Sequence, residues 1–203
     1  ENSESFDFGI EKSFLDLGLS LDASYFNIKY KDALEGWKGP KADWSTNNFP
    51  GVIKSQGLEL ISKWKKSDTL NFGFNYTYTS TYDGAEQDDP DKNESYHDAR
   101  MVRVPRHIMN LATNIKIPGY NNLDLTINTK WSDSARDYGN GNRTWRDEVI
   151  DDYWVNDLSI NYNLWNTYNL FFDINNILDE KYETTRDYSQ MDRSFNFGIR
   201  RVY

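Results

Sequence analysis

The sequence predicts an all-β protein, an antiparallel up-and-down β-barrel that crosses a membrane. Three observations carry this. Apolar residues recur at every second position in nine segments, the connections between them alternate short and long, and the apolar residues are unusually aromatic. Of 203 residues, 37% are hydrophobic and 16% are Phe, Trp or Tyr, set beside Asn, Thr, Asp and Gly. That mixture favours strands and turns, because aromatic side chains fit a pleated surface and Asn, Asp and Gly fit tight turns. No apolar run reaches the roughly 18 to 20 residues of a membrane helix, and no charged-then-apolar start marks a signal peptide. A barrel strand needs only about 9 to 11 residues and turns half of them to lipid, so a polar average composition is compatible with spanning.

The strands follow in order. Phe6, Phe8, Ile10 and Phe14 share one side, and after Leu15 and Asp16 so do Leu17, Leu19, Leu21 and Ala23, which predicts two strands joined by a very tight turn. Near Tyr25 the apolar phase slips to Phe26, Ile28 and Tyr30, the mark of a bulge or of the point where the strand leaves the membrane. A long loop over 31–50 holds Trp37, Trp44 and two prolines; SQGLELISKW (55–64) then alternates through Leu58, Leu60 and Trp64. After the turn KKSDT, Leu70, Phe72, Phe74, Tyr76 and Tyr78 alternate with Asn71, Gly73, Asn75, Thr77 and Thr79. A face of Phe and Tyr against a small face with few charges suits lipid outside and a polar lumen inside, the inverse of a soluble sandwich. The rhythm returns in Leu111–Ile117, Leu123–Trp131, Leu158–Tyr162, Leu170–Ile174 and the terminal FNFGIRRVY.

Connections near 15, 65–69, 118–122 and 163–167 are short, and those between them run to roughly 15 to 20 residues, long for a compact soluble domain. Tight periplasmic turns and long extracellular loops have this alternation in an outer-membrane barrel. Trp64, Tyr162 and Tyr203 fall beside short turns or the terminus, and Tyr76, Tyr78, Trp131 and Trp154 beside long loops. These seven are the expected membrane-interface anchors, since Trp and Tyr gather at the two interfaces. Single-chain bacterial barrels close with an even strand number. Nine strands, the first running inward, therefore predict the C-terminal part of a larger barrel, in the outer membrane of a Gram-negative bacterium.

The net charge of −9 and the lack of any basic cluster beyond Lys63, Lys65 and Lys66 argue against a nucleic-acid partner. With no Cys there is neither a disulfide nor a thiolate metal site. His97 and His107 have no second His or Cys at metal spacing, and no nucleophile elbow frames Ser95, so neither a zinc site nor a hydrolase is expected. The acidic run 83–98 has the oxygen for calcium but not the spacing of a calcium loop, and reads as a solvated loop. No metal, cofactor or catalytic residue is expected. For a large ligand, the candidate contacts are the loop residues Trp37, Trp44, Tyr82, Tyr138, Arg143 and Trp145, because aromatics give wide contact at small entropic cost. Arg136, Arg143 and Arg146 suit an anionic chelate or a lipopolysaccharide phosphate.

SFDFGIEK (5–12), SQGLEL (55–60), VPRHIMNL (104–111) and NNILDEKYETTRDY (175–188) together resemble the C-terminal half of a TonB-dependent outer-membrane receptor, over essentially the whole chain. The last segment looks like the family's "N-L-x-D-x-x-Y" strand exit, and its continuation to FNFG is most similar to cobalamin receptors. The resemblance implies a 22-stranded barrel of which these are the last nine strands, with a plug domain and earlier strands outside this sequence. It implies TonB-energised uptake of a scarce chelate, cobalamin ahead of ferric siderophore or haem. It also implies the TonB complex as a partner through the N-terminal region, the barrel-assembly machinery through the C-terminal strand, and outer-membrane lipid and lipopolysaccharide around the wall. Arg201 departs from the assembly signal, which prefers an apolar residue there. The other classes open to the sequence are a passive porin, an autotransporter barrel and a soluble β-sheet binding module.

Overall fold

The computed structural model describes residues 2–32, 34–35, 47–48, 52–83, 100–120, 122–137, 148–165 and 167–201. In chain order the strands are β1 (Asn2–Phe14), β2 (Leu19–Lys31), β3 (Leu34–Glu35), β4 (Asn47–Asn48), β5 (Val52–Lys65), β6 (Leu70–Asp83), β7 (His107–Lys116) and β8 (Leu123–Ser132). They continue as β9 (Ala135–Asp137), β10 (Glu148–Ile150), β11 (Tyr153–Leu164), β12 (Tyr168–Asn175), β13 (Glu183–Thr185), β14 (Tyr188–Ser189) and β15 (Ser194–Arg201). Nine of them form one sheet in the order β1-β2-β5-β6-β7-β8-β11-β12-β15, antiparallel throughout, with β1 and β15 at its edges. The six short strands pair within the long connections, as β3 with β4, β9 with β10 and β13 with β14.

Cross-strand register decides which residues share a face, because directly opposed side chains point the same way. Phe8, Tyr25, Leu58 and Tyr78 form one such row, and Phe14, Leu19, Trp64 and Phe72 another. Across the other half, Ile127 opposes Leu158, which opposes Ile174, which opposes Phe195. The apolar sets of all nine strands therefore lie on one face, and that face is open: Phe8 is 64% exposed and Phe197 83%.

No ladder of this sheet shifts register. The phase slip at Tyr25 is consequently not a bulge. Phe26 simply belongs to the polar face, where it opposes Gly57, and a Cβ on Gly57 would lie 2.6 Å from its ring and run into the Tyr78 carbonyl oxygen. Phe171 sits over Gly198 in the same way, 2.5 Å from where a Cβ would be, with the Arg200 guanidinium 5.9 Å from its ring centre. Each glycine leaves the hole its neighbour's ring fills. The polar face is also more charged than β6 alone suggests, since Asp7, Glu11, Asp22, Glu59, Asp124, Lys130, Asp157 and Asp173 share it by register.

The turns at the short end are compact. A 3-10 turn, Leu15–Leu17, joins β1 to β2, and the Trp64 indole donates a hydrogen bond to the Leu17 carbonyl at 3.1 Å while stacking on Phe72. Lys65 and Asp68 pair at 2.9 Å in the next turn, and this contact first of all holds the Asp68 carboxyl below its ordinary value.

Candidate functional site

Burial is concentrated at the long-loop end of β8, β11 and β12. The buried apolar residues among those described are Ala135, Ile150, Tyr153 and Val155, and the buried polar ones are Ser132, Asp137 and Asn176. Two of these polar side chains organise the end as hydrogen-bond hubs.

Asn176 lies directly after β12 with φ at 53°, a left-handed conformation that Asn tolerates better than most residues. Its backbone N–H donates to Asp157 Oδ1 at 2.8 Å, its side-chain amide donates to the carbonyls of Glu180 (2.9 Å) and Met191 (3.4 Å), and its Oδ1 accepts the Glu180 N–H at 2.9 Å. Asp179 accepts the Arg193 N–H at 2.8 Å, which is the main reason its carboxyl lies below the ordinary value. Lys181 bridges Asp192 (2.6 Å) and Asp179 (3.6 Å), and the bond to Asp192 first of all raises its ammonium pKa. Tyr182 packs on Tyr153 with ring centres 4.4 Å apart, and Lys130 Nζ lies 5.5 Å from the Tyr153 ring. Burial, and then the neighbouring Tyr153, push the Tyr182 phenol up.

Asp137, wholly buried, is the second hub. Arg103 Nε donates to its Oδ1 and the Arg186 backbone N–H to its Oδ2, both at 2.7 Å. Arg186 Nη1 pairs with Glu148 at 2.6 Å, and Arg103 N–H donates to the Arg136 carbonyl. One carboxylate thus joins the segment before β7, the β9–β10 pair and the β13–β14 hairpin. Beside it a cavity of about 590 Å³ is lined by Ile150, Asp152, Lys181, Tyr182, Arg186 and Gln190 among others. This mix of both charge signs and hydroxyl and amide groups can hold a polar ligand by hydrogen bonds.

Of the expected ligand contacts, Tyr82 is described and shares the apolar face, with Lys54 Nζ 5.4 Å from its ring. Trp37, Trp44, Tyr138, Arg143, Arg146 and Trp145 lie outside the described residues, as do Ser95, His97 and the acidic run from 84 onward. Trp64, Tyr76, Tyr78, Trp131, Trp154 and Tyr162 all fall on the apolar face. Tyr203 is outside the described residues. At the long-loop end, Trp131 and Trp154 are 6.0 Å apart, and the Tyr76 hydroxyl meets His107 Nδ1 at 2.8 Å, giving that histidine a place in the aromatic band. Asn176 belongs to the strand-exit motif, but its role as a hub, like that of Asp137, is not announced by the sequence. Asn176 has a local signal, an Asn at a strand exit followed by Asp179, whereas nothing near Asp137 announces partners 34 and 49 residues away.

No curated protein sequence matches this chain. Among solved structures, the pyoverdine outer-membrane receptor FpvA of Pseudomonas aeruginosa is similar over 99% of this chain and 30% of its own, with a TM-score of 0.72 and 18% identity. The siderophore receptor PiuA of Acinetobacter baumannii is similar over 97% and 28%, with a TM-score of 0.71 and 22% identity. The iron transporter FrpB of Neisseria meningitidis is similar over 97% and 30%, at 0.72 and 17%. The chain spans less than a third of the length of each. A profile of the TonB dependent receptor-like, beta-barrel family matches residues 1–177, and with its one-faced antiparallel sheet the chain belongs to that family.

Proposed function

We propose that this chain forms wall and extracellular-loop structure of a Gram-negative outer-membrane receptor that takes up a ferric siderophore with energy from TonB. The observation that carries the reading is fold similarity along nearly the whole chain to receptors named for siderophores and iron. The sheet itself supports a membrane setting. An apolar face spanning nine strands far exceeds the few hundred Å² that a soluble protein leaves open, and lipid together with further barrel strands would cover it. In this reading Trp64, Tyr162 and Tyr203 sit at the periplasmic interface and Tyr76, Tyr78, Trp131 and Trp154 at the outer one. The polar face lines a lumen holding a plug domain, and ligand is captured noncovalently by the long loops, with Trp37, Trp44, Tyr138, Arg143 and Trp145 as contacts.

The preference for cobalamin rests on the continuation of the strand-exit motif, residues 182–198, and these residues have a structural use of their own. Tyr182 packs on Tyr153, Glu183 accepts the Asp187 N–H, the Arg186 and Arg193 N–H groups donate to Asp137 and Asp179, and Gly198 receives the Phe171 ring. A segment occupied in holding a loop says little about cargo, so ferric siderophore moves ahead of cobalamin and haem. The test is uptake by cells expressing the intact receptor under iron limitation, with radioiron-loaded catecholate, hydroxamate and mixed-ligand siderophores beside radiolabelled cobalamin and haem. TonB-dependent radioiron accumulation is expected. Accumulation of cobalamin or haem alone would overturn the siderophore assignment, and TonB-independent entry of all probes would indicate a passive pore.

A further inference from the structure

The cavity beside the Asp137 hub has pinned walls and leaves three of its polar groups unmatched. One wall is β10 with Asp151 and Asp152, and the other is the segment 181–192. Asp137, on the strand paired with β10, accepts the Arg186 N–H, and Tyr182 packs on Tyr153, so the two walls are held together. Both cations of the cavity are engaged within the protein, Lys181 with Asp192 and Arg186 Nη1 with Glu148. Two carboxylates are engaged as well, since Asp152 accepts the Trp131 indole N–H at 3.3 Å and Glu183 accepts the Asp187 backbone N–H at 3.0 Å. Asp151 and Asp187 line the cavity with no partner for their carboxylates among the described residues. Arg186 Nε is buried and has no acceptor among the described residues.

These unmatched groups specify a ligand. A metal ion needs several converging donors, and no group of three or more His, Asp and Glu side chains suited to one stands among the described residues. A volume of about 590 Å³ suits part of an organic molecule instead. Two uncompensated carboxylates call for a positively charged donor, and a fixed guanidinium N–H calls for an oxygen acceptor. An alkylammonium group beside a carbonyl or hydroxyl oxygen supplies both. The polar face below has the same sign. Asp7, Glu11, Asp22, Glu59, Asp157 and Asp173 stand three or more residues from the short-turn ends of their strands, and Lys130 is the one described cation of that face at such a distance. Lys63, Lys65, Lys116 and Arg200 all lie within two residues of those ends. The half of the wall nearer the cavity therefore attracts positive charge.

We propose that this cavity binds an organic ammonium group carried by the cargo, with Asp151 and Asp187 as its counter-charges and Arg186 Nε donating to a neighbouring carbonyl or hydroxyl oxygen. The proposal rests on the siderophore reading above and names the class of siderophore, one with a free amine outside its iron-binding groups. Tyr153, which carries Tyr182, is on the polar face by its register with Ser132, so the site stands over the lumen side of the sheet. Walls fixed beforehand by the Asp137 and Lys181 contacts lose little freedom on binding.

Iron-limited cells expressing the intact receptor are offered radioiron-loaded trihydroxamate and triscatecholate siderophores with a free amine, the same molecules N-acetylated, and mixed-ligand siderophores with no amine. Binding is measured in the cold and TonB-dependent uptake at growth temperature. The amine forms are expected to bind about tenfold more tightly than their acetylated counterparts, the worth of one hydrogen bond to a charged group. Asp151→Asn/Asp187→Asn is expected to bring the amine forms down to the acetylated level and to leave the acetylated forms unchanged. A control, Glu4→Gln/Asp16→Asn, removes equal charge elsewhere and is expected to keep the preference, with heat-modifiable gel migration verifying folding of both variants. Equal binding of the two forms by wild type, or entry only of siderophores without an amine, overturns the ammonium site and leaves the siderophore reading standing. A preference that survives in the cavity variant overturns the location, and so does equal loss in both variants. Entry of cobalamin or haem with no siderophore bound overturns the siderophore reading and the proposal with it.

Discussion

Along β1, β2 and β5 hardly a side chain is buried, whereas the long-loop end of β8, β11 and β12 has a second layer packed on it, with Asp137, Ser132 and Asn176 among the least exposed residues described. Backbone ladders of the same kind run through both regions. The first depends on what surrounds it, since Phe6, Phe8 and Ile10 are covered only by an apolar environment. The second carries its own stabilising contacts as side-chain hubs. Substitutions in the two regions should therefore fail differently, one at membrane assembly and the other at loop order.

The largest effect is expected on the wall. Phe74→Arg places a charge on the apolar face midway between the Trp64–Phe72 and Leu60–Tyr76 rows and should cost about 2–4 kcal/mol, as a charge at the bilayer midplane does, whereas Thr77→Arg on the opposite face should cost little. Urea unfolding in vesicles measures both, and equal losses would contradict the assignment of faces. Next, Asp137→Ala removes the carboxylate that accepts from Arg103 Nε and from the Arg186 backbone N–H. We expect about 2–3 kcal/mol, less than a fully buried pair because Arg103 is partly solvated, seen as faster tryptic cleavage at Arg186 with the wall still heat-modifiable. Asn176→Ala removes one acceptor and two donor contacts and puts Ala at φ 53°, which should cost about 1–3 kcal/mol, again confined to residues 176–193. Amide exchange of Glu180 reads this directly, and unchanged protection would remove Asn176 as a hub.

The smallest effect is that of pH. Asp179 is depressed from 3.8, chiefly by the Arg193 N–H, so its contribution is present above 3.8 and lost as pH falls through the lower folded-state value. Arg193 amide exchange should accelerate only in that acid window while β8 and β11 amides stay protected. Simultaneous loss in both regions would mean that cap and wall are one cooperative unit.

Nine strands and their shared face were legible because alternation is local and every strand repeats it. The charges on the polar face are less so, since the cleanest alternation is in β6, whose inner residues are Asn, Gly and Thr, while Glu59 and Asp22 stand on other strands. Phe26 misled for a related reason. Its meaning depends on Gly57, 31 positions later, and no local period contains that partner. The Asp137 contacts are equally remote. Segment 175–188 was visible as a motif, but its role is in folding the loop, and a family signature by itself does not separate folding from cargo.

The two ring-over-glycine contacts have a consequence for how the sheet is assembled. If β5 slid past β2 by two residues, each face would keep its polarity and most backbone bonds would re-form, yet Phe26 would meet Ser55 or Glu59 instead of Gly57. A slide of β15 past β12 would likewise press Phe171 onto Asn196 or Arg200. Alternation alone cannot reject such even-numbered errors. One aromatic ring and one vacancy, placed near each end of the strand order, act as proofreading marks that only the correct alignment satisfies.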